Sequence, residues 1–418
     1  MSSGIAAAAE RVGRYRWVIL GLAFTAQMSN ALASQAVAPL APLFQGDLNL
    51  TKAEVGAFSS AVYAGSWVVL LLVGSITDRV GVRKMIALGQ VVTGLSLFSM
   101  SVAGSFFHAA AVMFAAGVGR ASISPGVSKA VMDWFSPSTR ATAMGAIQTS
   151  VPLGGILTAS LLPTLGLVLG WRSAIALIGL WVIGGATASG FLYRDVAAQG
   201  RQRTHRVGAR RILYMLAGNR KLWSLSIIAL LFSAVQVSVT TYLVLYLEEV
   251  VLVPLVPDRS LRIVTAGGYL ALCQAGGIVA RIVWGVISDR YFRNRRLVVI
   301  AATGALAAMV SAAVALLGSE CPLWLLPVLV FAYGGSAIGW GGLYLALAAE
   351  ISGNKYSATG VGLSMTVMQL GNVAGPPLFG FLVDVTGSYQ AGWFFLATLS
   401  VAGTLMAAFG SRKPRPLA

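Results

Sequence analysis

Two arginines stand where arginine is costly. The stretch AAGVGRASISPGVSKAV (115–131) is apolar enough for a bilayer yet carries Arg120 near its middle, and GGIVARIVWGVISDR (276–290) holds Arg281 in the same way. A charge at the centre of a membrane helix costs about 2.5–3.5 kcal/mol on insertion scales, so it is usually kept where it faces a cavity and acts. Arg120 lies about ten residues, or about 15 Å, from either end of its apolar run, too deep for its side chain to reach the interface easily. Arg281 lies about 12 Å before Asp289 and could lean that way. An acid partner is the next explanation to test. All 13 acidic residues, from Glu10 to Asp384, fall at expected span ends or in loops. Two guanidiniums with no acid beside them form a basic site that lacks its anion. A guanidinium offers a planar fork to a carboxylate and stays charged at any physiological pH.

Polar neighbours extend this candidate substrate site. Gln274 stands two turns before Arg281 on one helical face, and Ser124 follows Arg120 by four residues. Gln27, Asn30 and Ser34 form a polar stripe, and Ser233, Gln236 and Thr240 repeat its spacing in the second half. Tyr242, Tyr333, Gln369 and Asn372 complete the set. Such stripes serve equally as hydrogen-bonding contacts between helices. Lys129 points to the opposite face from Arg120 and is left out.

The elements that must position these residues are membrane helices. Of the 418 residues, 57% are hydrophobic and only 10% charged, and mean hydropathy is +0.80; soluble domains carry about 25% charged residues. Apolar runs of about 20 residues recur along the whole chain. The expected fold is an all-α integral membrane protein of about twelve spans: 17–38, 54–76, 85–105, 109–131, 142–164, 172–193, 223–247, 264–287, 297–317, 322–348, 358–383 and 391–410.

The net charge of +17 could suggest nucleic acid, but its placement argues for topology. Lys and Arg crowd the amino tail, the exits of spans 2, 4 and 8, the segment between spans 6 and 7, and the carboxyl tail. The opposite side holds only Lys52, Arg172, Arg259 and Arg262. This positive-inside bias puts both termini in the cytoplasm. Arg11, Arg14 and Arg16 before VILGLAFTA imitate a secretory signal, but the many spans that follow favour an uncleaved first helix. Cys273 and Cys321 suggest neither a disulfide nor a metal site, and His108 and His205 fall on opposite sides. No cofactor is expected.

The chain reads as two pseudo-symmetric halves. GSITDRVGVRK after span 2 returns as GVISDRYFRNRR after span 8, Asp133 and Glu350 end spans 4 and 10, and Gly170-Trp171 and Gly392-Trp393 open spans 6 and 12. Residues 1–193 and 223–418 are expected to form two six-helix bundles joined by a basic cytoplasmic linker, 194–222, with the site near midplane between them. The motif of Gly74, Asp78, Arg79, Gly81, Arg83 and Lys84, with its partial copy at Gly285, Asp289 and Arg290, resembles the cytoplasmic signature of the major facilitator superfamily. That resemblance implies a latch on the cytoplasmic side. Gly74 would permit close helix approach, Gly81 would turn the chain, Asp78 would face a helix N-terminus, and Arg83 would pair with Asp133.

The spacing Arg281-x-x-x-Gly285-x-x-x-Asp289 is similar to the span-8 arginine of monocarboxylate porters, oxalate–formate antiporters and nitrate porters, where it binds the anion. Leu70 stands where nitrate porters carry a second arginine, and span 11 lacks the lysine of oxalate–formate antiporters. Spans 4–6 resemble organic-anion symporters, except that Met113 takes the place of their span-4 arginine and Arg120 lies two turns deeper. The implied function is secondary transport of a small organic anion, a mono- or dicarboxylate, by alternating access. Proton symport and anion exchange are both open, in a monomer of the bacterial inner membrane. A proton-driven drug exporter is the alternative, although VPLGG departs from the span-5 motif of such pumps. An anion-sensing receptor shares the site chemistry. No nucleophile–base pair or metal cluster suggests an enzyme.

Overall fold

The structure, a computed structural model, describes residues 2–136, 139–195, 218–292, 295–353 and 357–410. Most of the expected linker, with His205, lies outside the described residues, as do the side chains of Gly74, Asp78 and Arg79. The amino half contains α1 (Ser2–Gln35), α2 (Val37–Asp47), α3 (Lys52–Val80), α4 (Val82–Met100), α5 (Phe106–Ala121), α6 (Ile123–Trp134), α7 (Arg140–Gln148), α8 (Ser150–Leu169) and α9 (Trp171–Leu192). The carboxyl half contains α10 (Arg220–Tyr246), α11 (Arg259–Arg290), α12 (Arg296–Leu317), α13 (Leu326–Tyr333), α14 (Gly341–Ser352), α15 (Ser357–Thr386) and α16 (Tyr389–Gly410).

Among the described residues, nine helical segments are long and apolar enough to cross a membrane. The remaining expected spans, 1, 3 and 11, are helical too, in α1, α4 and α15. Polar residues dilute their apolar character: Gln27 and Asn30 in α1, Arg83, Lys84 and Gln90 in α4, Gln369 and Asn372 in α15.

Proline sets the interruptions that matter for the site. α1 stops at Gln35, α5 at Ala121 and α7 at Gln148, each four residues before a proline: Pro39, Pro125 and Pro152. Proline has no N–H to offer the carbonyl four residues back, and its ring crowds that carbonyl. Spans 1, 4 and 5 are therefore each built from two helices in succession. Span 10, the counterpart of span 4 in the repeat, is also interrupted, by a π-helical turn over Gly334–Ile338.

The chain groups into two compact units, residues 1–36 with 61–201, and 37–60 with 202–418. In the first, α3 and α5 cross backbone to backbone. A Cβ on Gly65 would lie 2.0 Å from the Phe114 carbonyl oxygen, and one on Gly117 would lie 2.1 Å from that of Val62. Small residues at such crossings let membrane helices gain dispersion contact where no hydrophobic driving force exists. Gly117→Ala is expected to destabilise the protein by about 1–3 kcal/mol, the usual range for overpacking. A lowered thermal unfolding midpoint in detergent would register the change. The second unit has an aromatic core in which Tyr242 stacks on Phe379 at 4.4 Å and Trp393 packs edge-on against Phe379 and Tyr246.

Candidate functional site

In the first unit Arg120 sits in the last turn of α5, just before the break imposed by Pro125. Its Nε donates to Asn30 Oδ1 at 2.5 Å and its Nη1 to Ser66 Oγ at 3.2 Å. The Tyr63 ring lies under the guanidinium at 5.0 Å. Ser66 in turn donates to the Gly117 carbonyl at 2.9 Å, so the glycine crossing fixes this acceptor. Arginine can only donate, which sets the orientation of every amide downstream. Asn30 Nδ2 donates to Ser124 Oγ (3.2 Å), Ser124 to Gln27 Oε1 (3.2 Å), and Gln27 Nε2 to Gln148 Oε1 at 3.5 Å. One donor chain thus runs from the break in span 4 to the break in span 5.

Magnitudes explain how the charge persists with no acid against it. Hydrogen bonds to a charged group contribute about 1.5–3 kcal/mol each, a partly desolvated cation–π contact about 0.5–2, and a cation at a helix C-terminus about 0.3–2. Together these match an insertion cost of about 2.5–3.5 kcal/mol. A residue serving only to cap a broken helix would bond to the freed carbonyls of α5, and one reaching for the interface would point away from the bundle. Arg120 instead bonds side chains of α1 and α3. Nη2 donates to no described residue, which leaves one edge of the fork open.

In the second unit Arg281 makes no hydrogen bond or ion pair with any described residue, and its side chain is exposed. Leu270, Gln274, Gly277 and Ser288, on its own face of α11, are buried. The exposed Val279, Val283 and Val286 mark the opposite face at helical spacing. Arg281 therefore shares its helix face with buried residues, opposite the exposed valines. The Gln236 side chain, partly exposed on α10, likewise has no described partner, whereas Thr240 bonds the Gln236 and Val237 carbonyls of its own helix.

The structure separates the other expected site residues. Gln27, Asn30 and Ser124 join Arg120, while Ser34 bonds back to Asn30 and Ala31 carbonyls. Gln274 is buried on the Arg281 face. Tyr242, Tyr333 and Asn372, expected at the substrate, each bond other groups of the protein. The Tyr242 hydroxyl is held between the Lys52 and Pro376 carbonyls at 2.6 and 2.9 Å, that of Tyr333 lies 2.5 Å from Ser311 Oγ, and buried Asn372 donates to Gln369. Tyr63, Ser66 and Gln148 were not anticipated. Their signals are modest: Tyr63 and Ser66 stand one turn apart in span 2, and Gln148 precedes Pro152 by four.

In the expected latch, Gly81 has φ +92°, a left-handed turn that suits glycine. The Arg83 contact differs from the expected one with Asp133: its Nε donates to the Gly190 carbonyl at 2.5 Å, and its N–H to Asp195 at 3.2 Å. In the second copy Arg296 bridges Asp289 (3.6 Å) and Glu350 (2.9 Å). Lys84 and Arg290 are exposed and Gly285 half-buried; Gly74, Asp78 and Arg79 lie outside the described side chains.

Comparison with known proteins supplies the wider context. The chain is 24% identical to a probable sulfoacetate transporter of Cupriavidus necator, over 88% of this chain and 87% of that protein. It is 28% identical to monocarboxylate transporter 11 of Mus musculus, over 94% and 87%. Its fold is similar to that of the nucleoside transporter NupG, with a TM-score of 0.77 at 13% identity, covering 96% of this chain and all of the other. The sequence profile of the Major Facilitator Superfamily matches residues 23–372. The helices, the repeated Asp-Arg motif and this match together make the chain an integral, multi-pass membrane transport protein that belongs to the Major Facilitator Superfamily.

Proposed function

We propose that the protein is a secondary transporter of a small organic anion, a mono- or dicarboxylate, working by alternating access with Arg120 and Arg281 as the anion-recognising groups. The observation that carries this reading is the open edge of both guanidiniums: Nη2 of Arg120 and the whole fork of Arg281 lack a described partner. A carboxylate takes such an edge with paired, charge-assisted hydrogen bonds. Its arrival neutralises charge that the chain otherwise holds by dipoles and a ring, so the loaded site is better compensated than the empty one. The relatives' names, sulfoacetate and monocarboxylate, both specify acids, which supports the same class.

The remaining groups have supporting roles in this reading. The donor chain from Asn30 to Gln148 holds the Arg120 fork in one orientation, and Gln236 offers a neutral donor or acceptor to the substrate. Two six-helix halves joined through residues 194–222, with both termini cytoplasmic, provide the framework. Anion exchange needs no titratable group at the site, so exchange is the coupling favoured here over proton symport.

Uptake into proteoliposomes tests the proposal. Saturable accumulation of at least one radiolabelled carboxylate is expected, stimulated by carboxylate inside the vesicles. Competition by other carboxylates, but not by the corresponding amides, would tie recognition to the negative charge. Equal competition by acid and amide would defeat the assignment, and uptake into empty vesicles driven by a pH gradient alone would replace exchange with symport.

A further inference from the structure

The first unit carries an apolar face, charged at one end, that anion recognition leaves unused. Its two helices, α4 and α9, cross backbone to backbone. A Cβ on Gly94 would lie 2.8 Å from the Gly179 carbonyl oxygen, and one on Gly179 would lie 2.8 Å from that of Gly94. About three turns back along α4 and three turns forward along α9, Arg83 Nε donates to the Gly190 carbonyl at 2.5 Å, so the pair is antiparallel. Each helix also carries an exposed stripe at helical spacing: Leu88, Val92 and Leu95 on α4, and Leu180, Thr187 and Phe191 on α9. Each stripe lies roughly a third of a turn from its crossing glycine. Because the helices run in opposite directions, the two stripes fall on the same side of the pair. Leu88 is 55% and Phe191 81% accessible, so this side is open to the bilayer.

Cations close one end of the face. Arg83 and Lys84 stand at the start of α4, Lys84 in line with Leu88 and Val92 at intervals of four, and Arg194 follows the end of α9. All three are exposed. The end of α9 is tied down: the Tyr15 hydroxyl donates to the Leu192 carbonyl, and the Tyr15 ring lies 4.8 Å from the Arg194 guanidinium. A contact with a ring face uses none of the N–H donors of the arginine.

The acids at this end are matched by other cations. Asp195 Oδ1 accepts from the Arg83 N–H at 3.2 Å. Asp133 lies in sequence between Met132 and Phe135, whose carbonyls Arg140 bonds at 2.7 and 3.0 Å. Lys84 and Arg194 make no ion pair with any described residue. Two positive charges in excess therefore cap a two-helix apolar surface. We propose that the common outer face of α4 and α9 binds one anionic phospholipid, with its phosphate on Lys84, Arg194 and the free Nη groups of Arg83 and its acyl chains along the Leu88 and Phe191 stripes. Charge selects the headgroup, since a zwitterionic one brings its own cation against this end. A soluble phosphate would suit the cations but would leave the apolar stripes that continue from them without a role. The site is separate from Arg120 and Arg281, and the inference does not depend on the carboxylate reading.

The test reads proximity at the stripe. Leu88→Cys is labelled with bimane in a Cys273→Ser, Cys321→Ser background. The protein is reconstituted in phosphatidylcholine bilayers doped with the same small fraction of either phosphatidylglycerol or phosphatidylcholine brominated on its acyl chains. A cation beside an anionic headgroup strengthens association by about fivefold. Quenching should therefore show a preference for phosphatidylglycerol of about 25-fold. Lys84→Gln or Arg194→Gln should each lower it by about fivefold, and both together should bring it to about one. An equal preference at Leu316→Cys, an exposed position on α12, would reveal general attraction to a basic chain and overturn the site. A preference at Leu88→Cys that survives both substitutions would do the same. If the double variant fails to fold, each single variant decides by whether its preference falls. Inorganic phosphate, added at constant ionic strength, should leave the preference unchanged; its abolition would assign the cations to a soluble anion and overturn the lipid.

Discussion

Arg281→Lys is expected to fold like the wild type and to lose transport. Arg281 has no described hydrogen-bond or ion-pair partner, so the substitution breaks no hydrogen bond or ion pair among the described residues, and stability should stay within the few tenths of a kcal/mol usual for an uninvolved position. Transport should respond differently. Lysine keeps the charge but replaces a rigid, bidentate fork with a single hydrated ammonium. Losing one of two charge-assisted bonds to a carboxylate costs about 1.5–3 kcal/mol, or about tenfold to more than a hundredfold in uptake kcat/KM. Initial-rate uptake in proteoliposomes, set beside the melting curve, checks both halves of the prediction. Wild-type uptake would show that charge alone suffices, or that Arg281 does not touch substrate. A lowered melting point would show that the guanidinium supports the fold.

The two arginines were legible in sequence because cost made them conspicuous: a cation deep in an apolar run needs a reason. Partners were harder to read. Asn30 and Gln27 announced themselves through a three- and four-residue spacing on one helix, but a stripe states only which face is polar, not which neighbour it meets. Tyr242 and Tyr333 show the limit. Each is an aromatic with a hydroxyl at a plausible depth, and in each a carbonyl or serine on another helix engages that hydroxyl, a pairing that spacing along one helix does not encode. Gln148 joined the site through a break whose cause, Pro152, was visible, although its consequence depended on α1 lying alongside. The grouping of residues 37–60 with the carboxyl half was also out of reach. It depends on Asp384 capping a helix more than three hundred residues away, and no local pattern encodes such a pairing. Gly81, by contrast, was read from its motif as a turn and has the positive φ that a turn requires.

Arg120→Leu and Asn30→Leu separate recognition from scaffolding because they should move stability in opposite directions. Leucine at position 120 removes a buried charge whose insertion costs about 2.5–3.5 kcal/mol, while leaving Asn30 and Ser66 free to bond each other's surroundings or water. The melting point should hold or rise as uptake falls by at least about tenfold, through KM for an anionic substrate. Leucine at position 30 does the reverse to the site. It leaves the guanidinium in place without the acceptor at its Nε and cuts the donor chain at Ser124. A charged group that loses its buried acceptor forfeits about 1–3 kcal/mol or more, so this variant should melt lower. The double variant then decides. If Arg120 is a cation kept for substrate and merely accommodated by Asn30, removing both should restore most of the stability lost in Asn30→Leu, with a coupling energy in the 0.5–3 kcal/mol range of contacting pairs. If Arg120 instead holds the break in span 4 together, Arg120→Leu alone should melt at least as low as Asn30→Leu, and the double variant should recover nothing. Four melting curves and four uptake curves make the distinction, because a ligand-binding charge is a burden to the empty protein and a structural one is not.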